Sequence, residues 1–488
     1  MSILKNELNN GRFVCVLEVL SRPSSYLKTE LNKVLQRGHI AGWRLAPAFA
    51  DRVGKNWEWD SLDGVEDLGN PTTALLHFSG KNRTSDDLLQ QLTVMRAKGL
   101  SQLLLLSGDR FPTHHINQEP VRYLESVPAL QMVREHCSDW FLGAALNPFK
   151  YCEEEGGAQY FKATKKLLAS ADFLTLQLGF DVTKHLEALQ WMRAQNSPKP
   201  MIASVMRLTK NRARFLKNVP GIVITPSMLQ FLEQEESDSS QPAQVRSLER
   251  LALQIIGLEK MGYAGVHISG LHTLAEVLEL EAMLLKKQER FDSLDEWAKA
   301  WQASWCMSDG SEVSFVPDGH NWKMGQTNVL ATRKEQLRYR VFSTLHDQLF
   351  NQKRWLSKLF GWCVVQPVWQ AALPARVLHS IERKIKKPLV GCDTCGQCRL
   401  VETLYVCPET CPKGLANGPC GGTKLNRCEF GDRECIHNVK YRVARSMNLQ
   451  SVLTRQLIPA VNEEQRHQSS WPSWFKSMRK HMTKKPDE

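Results

Sequence analysis

A (β/α)8 barrel followed by a small cysteine-rich module is the fold class that the sequence predicts, and three observations predict it. Residues 12–285 repeat short apolar runs that alternate with longer stretches whose apolar residues recur at helical spacing. The short runs are nearly continuous in leucine and β-branched residues, as strands covered on both faces require. Eight of the thirteen cysteines fall between 392 and 435, a clustering that core packing does not explain.

The predicted strands, in order, are RFVCVLEVL (12–20), AGWRLAP (41–47), TTALLHF (72–78), LSQLLLLSG (100–108), WFLGAALNP (140–148), ADFLTLQL (171–178), KPMIASVMR (199–207) and GYAGVHISG (262–270). Helical patterns such as TSDDLLQQLTVMRAKG and GAQYFKATKKLLASA lie between most of them. This α/β alternation gives a parallel sheet under helices; a closed TIM barrel fits it, and a doubly wound open sheet is the alternative. No Gly-x-Gly-x-x-Gly follows the first strand, which counts against the open sheet. Barrel chemistry sits at the C-terminal ends of strands. Those ends carry Glu18, His77, Asp109, Asn147, Gln177, Arg207 and His267, a polar ring on otherwise apolar strands.

The barrel is expected over 1–290. Residues 291–388 form a tryptophan-rich excursion, with a helix and a hairpin-like turn at SDG and PDG, and then a helical connector broken near Pro367. The cysteine module spans 389–445. Residues 446–488 are expected to finish a helix and end in a flexible basic tail, with Trp471, Trp474 and Phe475 as a weak docking motif at most.

The chain has 488 residues and a net charge of +12, much of the excess lying beyond residue 330. Such a charge suits an anionic ligand or an acidic partner. No helix-turn-helix or RNA-binding signature accompanies it, so nucleic acid is not an expected partner. No apolar run approaches the roughly 18 residues of a membrane span, and the N-terminus has no apolar signal region, so a cytoplasmic protein is expected.

The module runs C-x2-C-x2-C-x8-C-x3-C-x8-C-x7-C-x6-C through Cys392, Cys395, Cys398, Cys407, Cys411, Cys420, Cys428 and Cys435. Eight thiolates suffice for two four-cysteine centres. The tandem C-x2-C steps and the Cys-Pro pairs at 407–408 and 411–412 favour iron–sulfur, [4Fe-4S] included. Structural zinc remains the alternative, and disulfides do not suit a reducing compartment. A glycine-rich segment with so few apolar residues draws folding energy from bound metal.

Several of these stretches resemble the methylenetetrahydrofolate reductase family of flavin-dependent barrels. LEVLSRP (17–23) is similar to its Phe-Glu-Phe-Phe-Pro-Pro opening, and ALLHF followed by GKNRT to its His-Leu-Thr-Cys segment. LLLLSGDRFP (103–112) resembles its Leu-Arg-Gly-Asp-Pro-Pro turn. ADFLTLQLGFDV (171–182) resembles its Ala-Asp-Phe-Ile-Ile-Thr-Gln-Leu-Phe-Phe-Asp segment. CPETCPKGLANGPCGG (407–422) resembles the C-terminal domain attached to some of these reductases, and a similar domain in acetogens carries iron–sulfur clusters in a partner subunit.

The resemblance implies hydride transfer from flavin N5 between 5,10-methylenetetrahydrofolate and 5-methyltetrahydrofolate, in either direction. It implies Glu18 as the acid that protonates N10, and Asp109 as the carboxylate near flavin and the folate iminium. Gln177 becomes the reader of the pterin edge, and His77, Gly108, Asp109 and Lys166 become flavin contacts. The departures are Ser107 where arginine is usual, Pro148 without the family's nearby histidine, and Lys210 or Asn211 where a phenylalanine stacks on folate. They leave FAD and FMN both open. The donor is NAD(P)H or a redox partner protein working through the module, and a homo-oligomer is compatible with the family. Two other functions fit the sequence: a non-catalytic electron-transfer or assembly subunit, and a barrel binding methyltetrahydrofolate for methyl transfer.

Overall fold

The structure is a computed structural model that describes residues 3–20, 24–53, 59–69, 71–111, 121–238 and 242–483, with side chains to 476. Nine strands form one sheet: β1 (Val14–Val19), β2 (His39–Ile40), β3 (Trp43–Phe49), β4 (Leu75–Ser79), β5 (Gln102–Leu106), β6 (Phe141–Leu146), β7 (Phe173–Leu176), β8 (Met201–Met206) and β9 (Gly265–Ser269). Each predicted run contains one of the strands other than β2 or overlaps it. The sheet order runs β1, β9, β8 and so on down to β3, and β1 also pairs with β3, so eight parallel strands close into a barrel. The two-residue β2 pairs antiparallel with β3 and lies outside the predicted set.

Alternation along the strands separates two apolar layers. Val14, Val16, Leu75, Leu104, Phe141, Phe173 and Ile202 come from strands all round the sheet yet form one cluster, so they fill the barrel's interior. Leu4 and Leu8, from the N-terminal helix Ile3–Asn9, complete that cluster and are fully buried or nearly so. The larger cluster lies between the barrel and its helices.

The tryptophan-rich stretch belongs to this outer layer. Trp297 is buried and its indole N–H donates to Leu253 O at 2.7 Å, while Trp301 and Trp305 follow it in the same core. The expected boundary at 290 therefore does not separate two cores. Helices Arg333–Phe350, Trp355–Val364 and Ala372–Val390 form the connector, and a 3-10 turn at Pro367–Gln370 marks the predicted break.

The expected flexible tail is corrected by the structure. Residues Ser470–Thr483 are helical, and Trp471 and Phe475, one turn apart, are buried against Val364 and Leu378. An aromatic pair at i, i+4 makes an apolar helix face, and that face outweighs the polar composition of the rest of the tail. The last five residues, 484–488, lie outside the described residues, as do Ser21–Pro23 of the opening motif and Pro112 of the Gly-Asp turn.

Candidate active site and the cysteine module

The polar ring forms where strand alternation puts it. In β1, Glu18 follows Val14 and Val16 on the inward side, one layer nearer the C-terminal mouth. His77 in β4 and His267 in β9 are not on neighbouring strands, yet their rings meet edge-on with centroids 5.4 Å apart. Both side chains therefore point into the barrel, above the apolar plug. Burial drives both imidazoles toward the neutral form. His77 is pushed down to about 3, with His267 adding to the shift, and His267 is lowered by burial against the opposing pull of the Glu18 charge. The Nε2 atom of each ring is buried and has no hydrogen-bond partner among the described residues. Glu18, His77 and His267 thus share one spot, two of them with unused polar atoms.

Asp109 follows β5 at the same end. Its carboxylate is half exposed and ion-paired to the Lys81 ammonium, which is completely buried. Gly108 turns the chain there with φ +82°, and a Cβ would lie 2.7 Å from Lys81 Cβ, so only glycine suits the turn. Gln177, just past β7, is half-buried; its Oε1 accepts from Leu178 N at 2.9 Å, which fixes the amide and leaves its NH2 group as donor. Lys166 is not on a solvated face: it is buried, donates to Ala145 O in β6, and is pushed down to about 7 by burial and by Lys162. Asn147 donates to Gly221 O at 2.8 Å and to Gly421 O at 3.0 Å, so it joins the barrel rim to the module rather than facing a ligand. Arg207 turns away to Ser247 and Gln244.

The module closes onto this rim. Lys413 donates to Gly108 O at 2.8 Å and pairs with Glu429, which accepts from Arg110 N. Glu125 is buried and binds Lys162 at 2.9 Å and the N–H groups of Ala416 and Asn417, each at 3.0 Å to Oε2. Burial opposes its ionisation, but Lys162 and those N–H groups outweigh burial and hold its carboxyl at about 2.

The eight cysteines fall into two groups of four. Cys392, Cys395, Cys398 and Cys407 are electrostatic neighbours of one another, and so are Cys411, Cys420, Cys428 and Cys435. Burial raises Cys392, Cys395 and Cys407 in the first group and Cys411, Cys428 and Cys435 in the second, Cys392 and Cys411 to about 11, and neighbouring sulfurs add to it. A buried lysine–glutamate pair stands beside each group. Lys386, held by Glu382, lies 3.5 Å from Cys398 Sγ; Glu429, held by Lys413, lies 3.3 Å from Cys420 Sγ. Among the described residues, no three His, Cys, Asp or Glu side chains are placed to hold a metal ion as they stand.

Comparison with known proteins gives this arrangement a family. Residues 68–284 match the profile described as methylenetetrahydrofolate reductase, and residues 373–464 match methylene-tetrahydrofolate reductase C terminal. The two segments together span more than half of the chain, in the order barrel then module. The chain belongs to the methylenetetrahydrofolate reductase family. It is an enzyme of folate one-carbon oxidoreduction. His77, Gly108, Asp109, Lys166 and Gln177 lie within the reductase match, Glu18 lies before it, and all eight clustered cysteines lie within the C-terminal match. No curated protein matches the chain. Among solved structures, a putative deoxyribose-phosphate aldolase from Toxoplasma gondii ME49 is 10% identical, with 59% of this chain and 98% of that chain covered and a TM-score of 0.30. The carboxyl transferase domain of Rhizobium etli pyruvate carboxylase is also 10% identical, covering 72% and 55%, with a TM-score of 0.33. Neither likeness carries an argument. The reductase family's sequence motifs did not point to Lys81, Glu125 or Lys413 as site residues. Lys81 carried a signal, a lone lysine directly after the β4 run, but its partner lies 28 residues away.

No helix among the described residues is long and apolar enough to cross a membrane.

Proposed function

We propose that this enzyme interconverts 5,10-methylenetetrahydrofolate and 5-methyltetrahydrofolate at the barrel mouth, with Glu18 as the proton carrier. The observation that carries this reading is the meeting of Glu18, His77 and His267 in one inward-facing layer, with two buried Nε2 atoms lacking partners among the described residues. Such atoms are expected where a polar ligand completes the hydrogen bonding. The glycine turn and the Lys81–Asp109 pair beside them suit a flavin, FAD or FMN. When bound, it would supply hydride exchange at N5 with the one-carbon unit.

The chain's own residues do the rest. Glu18 gives a proton to N10 as the five-membered ring opens and takes it back in the reverse direction. Asp109 faces the cationic iminium with a charge tempered by Lys81. The fixed amide of Gln177 orients the pterin through its NH2 group. Neutral His77 and His267 keep positive charge away from a site that must hold a cation. The apolar plug beneath them excludes water from below.

Each cysteine group offers four thiols, the donor number that an iron–sulfur cluster or zinc takes, with a lysine–glutamate pair beside it. The group 411–435 is joined to the Gly108–Asp109 turn through Lys413 and Glu429, which supports electron passage between the module and the barrel over an NAD(P)H-only route. A redox partner protein would then meet the outer group, 392–407.

The test is Glu18→Gln. It should retain flavin and fold, and lower methyltetrahydrofolate-dependent flavin reduction by about 10²–10⁴-fold. Unchanged single-turnover rates in Glu18→Gln would exclude the assignment. Iron and labile sulfide analysis of anaerobically prepared protein separates clusters from zinc.

A further inference from the structure

The three connector helices each leave an apolar stripe that neither the barrel nor the module covers. On helix Ala372–Val390, Leu373, Val377, Ile381, Ile385 and Leu389 recur every fourth residue and all are exposed, Leu373 at 74%. The buried stripe of the same helix is a different one, through Leu378, Glu382 and Val390. Helix Trp355–Val364 turns Phe360 and Val364 inward and leaves Trp355 and Trp362 exposed at 70% and 62%. On helix Arg333–Phe350, Leu337, Val341 and Leu345 form a third exposed stripe. Three successive helices with outward apolar stripes exceed the scattered apolar residues of an ordinary surface.

Charge identifies what covers them. Residues 330–390 hold twelve Lys and Arg against three Asp and Glu, which is nine of the chain's net +12. All three acids are engaged in ion pairs: Glu335 with Arg442, Asp347 with Arg354 and Glu382 with Lys386. Basic side chains flanking stripes of leucine, isoleucine and tryptophan are the pattern of helices that lie in the headgroup layer of an anionic bilayer. A second copy of this chain would bring two such basic surfaces together, so self-association is disfavoured. The helices Arg333–Phe350 and Trp355–Val364 fall between the two family-matched segments, and the stripe on Ala372–Val390 lies at the start of the C-terminal match.

We propose that the connector helices dock the enzyme peripherally onto an anionic lipid surface, with the apolar stripes entering the headgroup region and the flanking Lys and Arg meeting acidic headgroups. The 19-residue helix Ala372–Val390 lies along the surface, and its C-terminal end leads directly into Cys392. Docking therefore sets the outer cysteine group close to the membrane. The inference goes beyond the folate reaction and does not depend on it.

Flotation of the full-length protein with vesicles tests it without turnover. Vesicles of phosphatidylcholine with 30% phosphatidylglycerol should carry the protein at least roughly tenfold more than phosphatidylcholine alone, and 0.5 M salt should reduce that partition. Val377→Glu/Ile381→Glu, both exposed positions, should abolish flotation while circular dichroism and folate turnover stay unchanged. Lys384→Glu/Lys387→Glu should weaken it separately. Wild-type protein that stays at the bottom with acidic vesicles overturns the proposal. So does flotation that survives the Val377→Glu/Ile381→Glu change. A wild-type dimer that becomes monomeric in that variant, without vesicle binding, assigns the surface to a second copy instead. Binding to soluble polyglutamate but not to vesicles assigns it to an acidic protein.

Discussion

The barrel mouth and the seam beneath the cysteine module differ in what they bury: neutral imidazoles at the mouth, paired charges at the seam. At the mouth, His77 and His267 are buried neutral, and their Nε2 atoms lack partners among the described residues. At the seam, charges are buried with partners: Glu125 with Lys162 and two backbone N–H groups, Lys413 with Glu429, and Arg399 with Glu409. Folded chains satisfy most buried polar groups. The seam's charges are paired, although Arg399 Nε and His437 Nε2 there also lack a partner among the described residues, and it is the convergence of Glu18, His77 and His267 in one inward layer that sets the mouth apart. The seam holds the molecule together, and the mouth is kept ready for chemistry.

The largest expected effect breaks the seam. Lys413→Met leaves Glu429 buried without its cation beside Cys420, and should cost about 3–5 kcal/mol in denaturant unfolding. It also removes the bond to Gly108 O, so folate-driven flavin reduction should slow as well. Lys386→Met at the outer cysteine group should destabilise similarly but leave that half-reaction unchanged. Equal kinetics in the two variants would erase the distinction between inner and outer groups.

Glu125→Gln comes next. Its carboxyl sits at about 2 when folded, against 4.5 as the ordinary value. The unfolded chain binds the proton more readily, so this stabilisation is present above pH 4.5 and is lost as pH falls toward 2. The shift corresponds to roughly 3 kcal/mol. Urea midpoints measured down the acid range should show this loss in the wild type and not in Glu125→Gln.

The mouth was more legible in the sequence than the seam, for a physical reason. Strand periodicity and the rule that barrel chemistry gathers at C-terminal ends place Glu18, His77 and His267 together from local pattern alone. The seam depends on pairings such as Glu125 with Asn417, 292 residues apart, which no local period encodes. Lys162 on a barrel helix and Lys440 on a helix of the module are both buried where barrel and module meet, a burial that no local pattern encodes. The division of the cysteines into 392–407 and 411–435 follows chain order, but spacing alone did not separate that division from interleaved ones. The tail misled because its polar composition hid a short aromatic face.

Gly108→Ala is a smaller perturbation at the junction of the two regions. A methyl group at φ +82° against Lys81 should cost about 1–3 kcal/mol and shift Asp109. Its signature is a raised KM for folate with Lys413 still in place.

The smallest effect at neutral pH belongs to the mouth, and it sharpens the comparison most. His77→Leu replaces a buried imidazole whose Nε2 is unbonded by an apolar group of similar size, so stability at pH 7 should change by less than about 1 kcal/mol. The acid response differs. Folded His77 is held down to about 3, whereas the unfolded ring protonates near 6.5. Below pH 6.5 the unfolded chain therefore takes up a proton that the fold refuses, and stability falls as pH drops from 6.5 toward 3. His77→Leu should flatten that limb, while Glu125→Gln flattens the one between 4.5 and 2. A structural seam and a ligand-ready mouth thus predict two separable acid transitions and opposite effects on flavin loading. Flavin retention should fall in His77→Leu and persist in Glu125→Gln wherever the latter stays folded, because of these two side chains only His77 has a buried polar atom without a partner among the described residues.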